Sequence, residues 1–213
     1  MEVLALICGI IVAYLIGSFS SSVWIGRWFY DTDVRTLGSK NAGATNTIRV
    51  LGLKAGIIVF LLDVLKGFLV VRIGSMLFNY DSYEWKIAYE LVLGLFAVVG
   101  HILPLYTGFK GGKGVATIVG VVIGLYWFIF PIVLGIFILV FLIWRYISLA
   151  SIVSAICFPI VYLLYCWISV EPIAISLLLF SVLAMIFIPF THRKNIRRLR
   201  KHEEPKFYFR KSV

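Results

Sequence analysis

VATIVGVVIGLYWFIFPIVLGIFILVFLI, residues 115–143, is an apolar run without a single charged side chain. A membrane-spanning helix takes about 20 residues, within a range of roughly 17–25. The run is therefore too long for one comfortable span and short for two. Gly124, Pro131 and Gly135 interrupt it, and an internal proline removes a helical hydrogen bond. We expect two shorter or tilted helices joined by a tight turn near 128–131; one long, kinked helix is the alternative.

Further apolar stretches lie near 3–25, 53–72, 87–105, 147–169 and 172–190. The 213-residue chain is 62% hydrophobic and 14% charged, with a mean hydropathy of +1.02. A soluble chain of this length needs more polar surface. The expected fold is an all-α, polytopic integral membrane protein, a single membrane-embedded domain over 1–213. It has seven transmembrane helices if the central run splits and six if it does not.

Charge placement favours the split. With seven spans, 26–53, 106–114, 144–146 and 191–213 share one side, which then holds Arg27, Arg35, Lys40, Arg49, Lys110, Lys113, Arg145 and the nine cations of the tail. The opposite side receives the start of the chain, about 73–86, the turn near 130 and about 169–171, with the few mixed charges Asp81, Glu84, Lys86 and Glu171. The positive-inside rule makes the cation-rich side cytoplasmic and leaves the N-terminus outside. Glu2 replaces the basic start of a signal peptide, so the first stretch reads as a retained helix. Cys8, Cys157 and Cys166 all lie in apolar segments; they read as buried thiols, with no disulfide framework or metal site.

The formal charge of +10 suits attraction to anionic lipid. No nucleic-acid module accompanies it. Two loops concentrate the informative cations. One is Gly38-Ser39-Lys40-Asn41-Ala42-Gly43-Ala44-Thr45-Asn46, preceded by Asp31, Asp33 and Arg35. The other is Phe109-Lys110-Gly111-Gly112-Lys113-Gly114-Val115-Ala116-Thr117. In the second, successive glycines let backbone N–H groups turn around an anion, and the following helix N-terminus adds donors. Lys113 supplies a mobile charge; Lys110 serves the same anion or faces lipid headgroups.

This is no nucleotide P-loop. The spacing from Gly108 to Gly112-Lys113 is one residue short, and Gly114 stands where a magnesium-binding Ser or Thr belongs. In the first loop Arg35 offers a fork for two phosphate oxygens. Ser39, Asn41, Thr45 and Asn46 add uncharged donors, and Gly38 and Gly43 relax the backbone. Asp31 and Asp33 suit a divalent cation or pairing with a loop cation. Within the spans, Asp63 and Lys66 share a helix face, and Glu90 begins the next span; such groups pair or line a polar cavity. His101 is a candidate base, phosphate donor or packed histidine. His192 and Asn195 are placed to close over the loops. Neither a G-x-S-x-G elbow, an H-E-x-x-H zinc pattern nor a His-x-x-x-x-Asp pair is present. Covalent and His–Asp catalysis are disfavoured, and a substrate whose own phosphate accepts a proton fits better.

These residues resemble the bacterial membrane acyl-phosphate:glycerol-3-phosphate acyltransferases, the PlsY family, over essentially the whole chain. The resemblance rests on Gly17-Ser18, on Asp33-x-Arg35-x-x-Gly38-Ser39-x-Asn41-x-Gly43-Ala44-Thr45-Asn46, on Arg49-x-Leu51-Gly52 and on Asp63-x-x-Lys66-Gly67. It continues through Gly100-His101-x-x-Pro104, the second glycine loop, Arg145-Tyr146-x-Ser148-Leu149-x-Ser151, His192-Arg193-x-Asn195-Ile196 and Arg198-Leu199. Three departures stand out: Lys40 and His202 replace glycines usual in the family, and Ser20 stands where proline is frequent.

The resemblance implies acyl transfer from acyl phosphate to the 1-hydroxyl of glycerol 3-phosphate, giving lysophosphatidic acid and inorganic phosphate without acyl-CoA. It implies Arg35, Ser39, Asn41, Lys113, His101 and His192 as catalytic residues. Ser18, Gly43, Thr45, Asn46, Lys110, Gly111, Gly112, Gly114, Thr117, Ser148 and Asn195 would bind substrate or phosphate, with Asp63 and Lys66 structural. No cofactor, metal or protein partner is expected; the partners are the two substrates and membrane lipid, in a bacterial inner membrane. A phosphate or phosphosugar transporter is the alternative function, although cations gathered at one face argue against a midplane site. A lipid-binding scaffold would have no need of two glycine loops.

Overall fold

The computed structural model describes residues 2–74, 76 and 83–208. Asp81, Arg210 and Lys211, counted above among the side-determining charges, lie outside them. The described residues form ten α-helices and one 3₁₀ turn, with all secondary structure helical. The chain divides into two compact units, one reaching Leu125 and the other beginning at Tyr126.

The first unit holds α1 (Glu2–Ser18), α2 (Ser21–Tyr30), α3 (Ala44–Leu51), α4 (Leu53–Gly74), α5 (Tyr83–Ile102), the 3₁₀ turn Leu105–Thr107 and α6 (Val115–Leu125). Glycine lets two helix pairs approach backbone to backbone. A Cβ on Gly17 of α1 would lie 2.1 Å from the Ala97 carbonyl oxygen of α5, and one on Gly100 would lie 2.3 Å from that of Tyr14. Gly67 of α4 and Gly120 of α6 are packed in the same way, against the carbonyls of Thr117 and Val64. Small residues serve this purpose between membrane helices, where apolar burial alone does not distinguish a neighbour from lipid. Ala13, Val70, Leu93 and Ala97 fill the seam among α1, α4 and α5.

The second unit holds α7 (Phe130–Trp144), α8 (Ile147–Ser169), α9 (Ile175–Thr191) and α10 (Arg193–Arg200). Phe158 of α8 meets Phe180 of α9 edge to face at 6.4 Å. The Tyr162 hydroxyl accepts from the Ala174 N–H at 2.9 Å, tying the α8 end to the start of α9. Beyond α10 the tail folds back: the Phe207 N–H donates to the Arg145 carbonyl at 2.8 Å, and the Phe207 ring packs edge-on to Phe141.

The 115–143 run does break, at 126–129, but the expectation of seven spans is corrected. Among the described residues two helices are long and apolar enough to cross a membrane, Trp85–Thr107 and Ile147–Ser169. The number rises to four if two bent pairs each count as one span: Leu4–Ser18 with Ser21–Tyr30, bent by 41°, and Ile175–Thr191 with Arg193–Arg200, bent by 61°. Length explains much of the shortfall. At 1.5 Å per residue, the 11 residues of α6 and the 15 of α7 reach about 16 and 22 Å, against a hydrocarbon core of about 30 Å. α4 is long enough at 22 residues, but it carries Lys54, Asp63, Lys66 and Arg72.

Candidate active site

In the first unit the segment between α2 and α3 is held by one buried amide. The Asn46 Oδ1 accepts the Ser39 N–H at 2.8 Å, while its Nδ2 donates to the carbonyls of Val34 at 2.7 Å and Leu37 at 3.2 Å. Asn46 is 1% exposed. The turn it clamps places Gly38 and Lys40 at φ of +59° each, the left-handed region that favours glycine. Thus the lysine that departs from the family pattern sits where glycine has a conformational reason to be.

Arg35 binds this loop to the next. Its Nε and Nη2 donate to the two Asp33 carboxylate oxygens at 3.0 and 2.7 Å, and Nη1 reaches the carbonyls of Thr107 at 2.7 Å and Lys110 at 3.3 Å. The hydrogen bonds from Arg35 hold the Asp33 carboxyl well below the usual carboxylate range against the opposing effect of burial. The same bonds raise Arg35 above its ordinary value. The guanidinium fork expected to face phosphate therefore faces Asp33, because a fixed carboxylate two residues away is its nearest bidentate acceptor. Arg27 adds a third cationic contact to Asp33 at 3.0 Å, and among the described residues no acidic cluster suits a metal.

The second loop turns back on the end of α5. The Gly111 and Gly112 N–H groups donate to the Ile102 and His101 carbonyls, both at 3.1 Å. Those two N–H groups cap a helix and do not surround an anion, since the last carbonyls of α5 lack partners within the helix. A Cβ on Gly112 would lie 2.1 Å from His101 Nε2 and 2.5 Å from the Ala42 carbonyl oxygen. This glycine is where the two loops and His101 meet. Lys110 is exposed, whereas Lys113 is half-buried and engaged. Thr117, in the first turn of α6, and Ser18, at the end of α1, are fully buried with hydroxyls that have no hydrogen-bond partner.

Beneath the loops lies a buried ionic cluster. Lys66 Nζ is 2.9 Å from Asp63 Oδ1, 2.9 Å from His101 Nδ1 and 3.0 Å from the Phe19 carbonyl oxygen. The Ser21 hydroxyl also donates to Asp63 at 2.9 Å. Three acceptors match the three hydrogens of an ammonium. His101 Nδ1 also lies 3.6 Å from Asp63 Oδ1, so this nitrogen either accepts from Lys66 or donates toward Asp63, while Nε2 faces Gly112. Glu90, the other expected intramembrane acid, is buried on α5.

In the second unit Ser148, His192 and Asn195 are all buried. His192 Nδ1 lies 2.8 Å from the Ile188 carbonyl, so this nitrogen carries a proton and donates to that carbonyl. Ser148 and Asn195 converge on Glu204, at the acidic end of the tail motif. The Ser148 hydroxyl and Asn195 Nδ2 donate to Glu204 Oε1 at 2.8 and 2.6 Å, and Arg198 Nε donates to Oε2 at 2.6 Å. Burial raises the Glu204 pKa, but the bonds from Arg198, Asn195 and Ser148 outweigh it and hold the carboxyl below its ordinary value. Because a hydroxyl has one hydrogen, Ser148 cannot donate to a phosphate while bonded to Glu204. The only sequence signal for Glu204 was an acidic pair, Glu203-Glu204, inside a basic tail. His202, the second departure, has φ +58°.

Fold and loops together describe an all-α, multi-pass membrane protein with cationic and hydroxyl side chains on clamped loops. Comparison with known proteins then gives its family. The glycerol-3-phosphate acyltransferase family model matches residues 7–202, and the chain belongs to that family. It is 42% identical over 208 residues to a glycerol-3-phosphate acyltransferase of Fusobacterium nucleatum, covering 97% of this chain and 100% of the relative. It is 40% identical over 198 residues to one from Listeria welshimeri, covering 92% and 93%. It is also similar to two crystal structures of PlsY (YgiH), an integral membrane glycerol 3-phosphate acyltransferase. The glycerol 3-phosphate form matches with a TM-score of 0.82 at 36% identity, and the lysophosphatidic acid form with 0.79 at 35%, each over 96% of both chains.

Proposed function

We propose that this enzyme transfers an acyl group from acyl phosphate to the 1-hydroxyl of glycerol 3-phosphate, forming 1-acylglycerol 3-phosphate and inorganic phosphate. The activity is that of its family. The observation that carries the assignment to these loops is the Arg35 bridge, which holds the Ser39–Asn46 segment beside the Lys110–Gly114 segment.

Within the first unit, Lys110 and Lys113 are the phosphate-binding cations, with Ser39, Asn41 and Thr45 as neutral donors. The unpartnered hydroxyls of Ser18 and Thr117 retain hydrogens for substrate oxygens. Gly43, Gly111, Gly112 and Gly114 shape the loops, while Arg35 and Asn46 act by positioning them. Within the second unit, His192 and Asn195 are phosphate-binding candidates.

The hydroxyl oxygen attacks the acyl carbon directly. Its new C–O bond forms as the bond from that carbon to the phosphate oxygen breaks, and the hydroxyl proton passes to the departing phosphate. Clamped loops contribute orientation and fixed donors where charge develops. The engagement of His101 Nδ1 with Lys66 and Asp63 in the buried cluster supports this route over a histidine base, whose loss costs about 10²–10⁴-fold. The concentration of Lys and Arg on the loops and tail supports a cytoplasmic location for them and for the C-terminus, with the N-terminus outside. Purified protein supplied with acyl phosphate and glycerol 3-phosphate should form lysophosphatidic acid, and acyl-CoA should not replace the donor. Absence of product with acyl phosphate would sink the assignment.

A further inference from the structure

Lys40 stands at φ +59°, where an L side chain is strained and glycine is not. The turn that imposes this conformation is closed by two bonds. The Lys40 N–H donates to the Leu37 carbonyl at 3.0 Å, and the neighbouring Ser39 N–H donates to Asn46 Oδ1 at 2.8 Å. Packing does not offset the strain, because Lys40 is exposed. Nor does an ion pair: among the described residues the Lys40 ammonium has no hydrogen-bond or salt-bridge partner, and Asp33 is already engaged by Arg27 and Arg35. A glycine would close the same turn without strain, so what the side chain adds is a mobile charge. Strained backbone of this kind clusters where a protein binds or reacts, and the place fits. Lys40 lies between Ser39 and Asn41, two of the neutral donors assigned to substrate. It also lies two residues before Ala42, whose carbonyl meets Gly112 of the second loop.

We propose that Lys40 is a further substrate-binding residue, an exposed cation that draws the phosphate of glycerol 3-phosphate onto the first loop. This rests on the acyltransferase reading. The ligand chemistry is a phosphate monoester, which carries about −1.5 to −2 charge at neutral pH. Anionic lipid headgroups also offer phosphate to a cation at the membrane surface, but a phosphodiester carries a single charge. An exposed ammonium on a flexible stem is reached directly by a substrate dissolved in water, whereas acyl phosphate is held by its chain. The attraction acts on capture of the soluble substrate and weakens with salt.

The test uses the full-length protein in lipid nanodiscs, with three variants that separate charge from backbone. K40R keeps the charge and the left-handed side chain, K40Q keeps only the side chain, and K40G keeps neither. Lysophosphatidic acid formation is followed while the two substrates are varied separately. KM for glycerol 3-phosphate should rise about three- to fivefold in K40Q and K40G alike, the size of an exposed ion pair, and K40R should restore the parental value. At about 0.5 M salt the difference should shrink below about 1.5-fold, because the screening length is then under about 5 Å. KM for acyl phosphate should hold throughout. Melting temperatures should set only K40G apart, so a backbone effect reads differently from a charge effect. Parental KM in K40Q and K40G, a rise in K40G alone, a loss confined to kcat or an equal rise for both substrates would overturn the proposal. So would a rise seen in nanodiscs of anionic lipid and absent in neutral ones, which would make the lysine a headgroup contact. A parent that makes no product would overturn the acyltransferase reading first, whereas unaffected variants of an active parent overturn the proposal alone.

Discussion

Replacing Lys66 with methionine isolates the buried cluster under the loops. Lys66 is 6% exposed and Asp63 2%. The ammonium contacts Asp63, His101 and the Phe19 carbonyl within 3.0 Å. Methionine keeps the apolar stem but leaves Asp63 with only the Ser21 hydroxyl at 2.9 Å and the His101 ring at 3.6 Å, and removes the ammonium from the Phe19 carbonyl. Removing one partner of a buried pair costs about 3–5 kcal/mol. For a domain of 150–250 residues each kcal/mol shifts Tm by about 2–4 °C, so K66M should melt roughly 6–20 °C below the parent. The double variant D63N/K66M removes the uncompensated charge and should recover at least half of that loss. Thermal unfolding in detergent, followed by intrinsic tryptophan fluorescence for the four proteins of the cycle with D63N, measures both quantities. A K66M melting point within 2 °C of the parent would refute the reasoning, as would a double variant no more stable than K66M.

Lys40→Gly and His202→Gly should each stabilise the protein by about 0.5–1 kcal/mol, because relief of a left-handed non-glycine residue outweighs glycine's extra unfolded-state entropy; a lower Tm in either variant contradicts this. Arg35→Lys cannot make the paired bonds to Asp33 while spanning to Thr107, so product formation should fall at least about tenfold and trypsin should cut faster at Lys110. Glu204 has its carboxyl held below its ordinary 4.5. Its contribution to stability is therefore complete above that pH and is lost as pH falls through the lower folded value. An acid-unfolding profile of E204Q should lack that portion, and a profile parallel to the parent's would refute it. Arg193, Arg197, Arg200 and Lys201 line an open depression of about 430 Å³ on α10. Replacing the four with Gln should reduce any stimulation of activity by anionic over neutral lipid nanodiscs, an effect that salt also weakens.

Several site features were readable from residue types alone. Asp63 and Lys66, three positions apart on an apolar helix, share a face, and charges within a span pair or line a polar cavity; the structure pairs them at 2.9 Å. The glycine loops were legible as functional because spanning a bilayer requires neither glycine runs nor lysines. Residue types did not reveal which groups those side chains face. Arg35 reads equally well as a phosphate fork or an Asp33 partner, and Gly111-Gly112 equally well as an anion cradle or a helix cap. Those choices depend on contacts far along the chain, 72 positions apart for Arg35 and Thr107. The partners of Glu204 escaped notice for the same reason, since Ser148 stands 56 positions before it.

Composition and patterning by themselves determined a helical membrane protein with glycine- and cation-rich polar loops, because hydropathy and glycine–lysine spacing are local properties. The family motifs added the reaction. Only the tertiary structure decided the break at Phe19–Ser20 and which donors are already used. A hydrogen has one acceptor and a helix end has a fixed number of open carbonyls, so those allocations are settled only when distant segments meet.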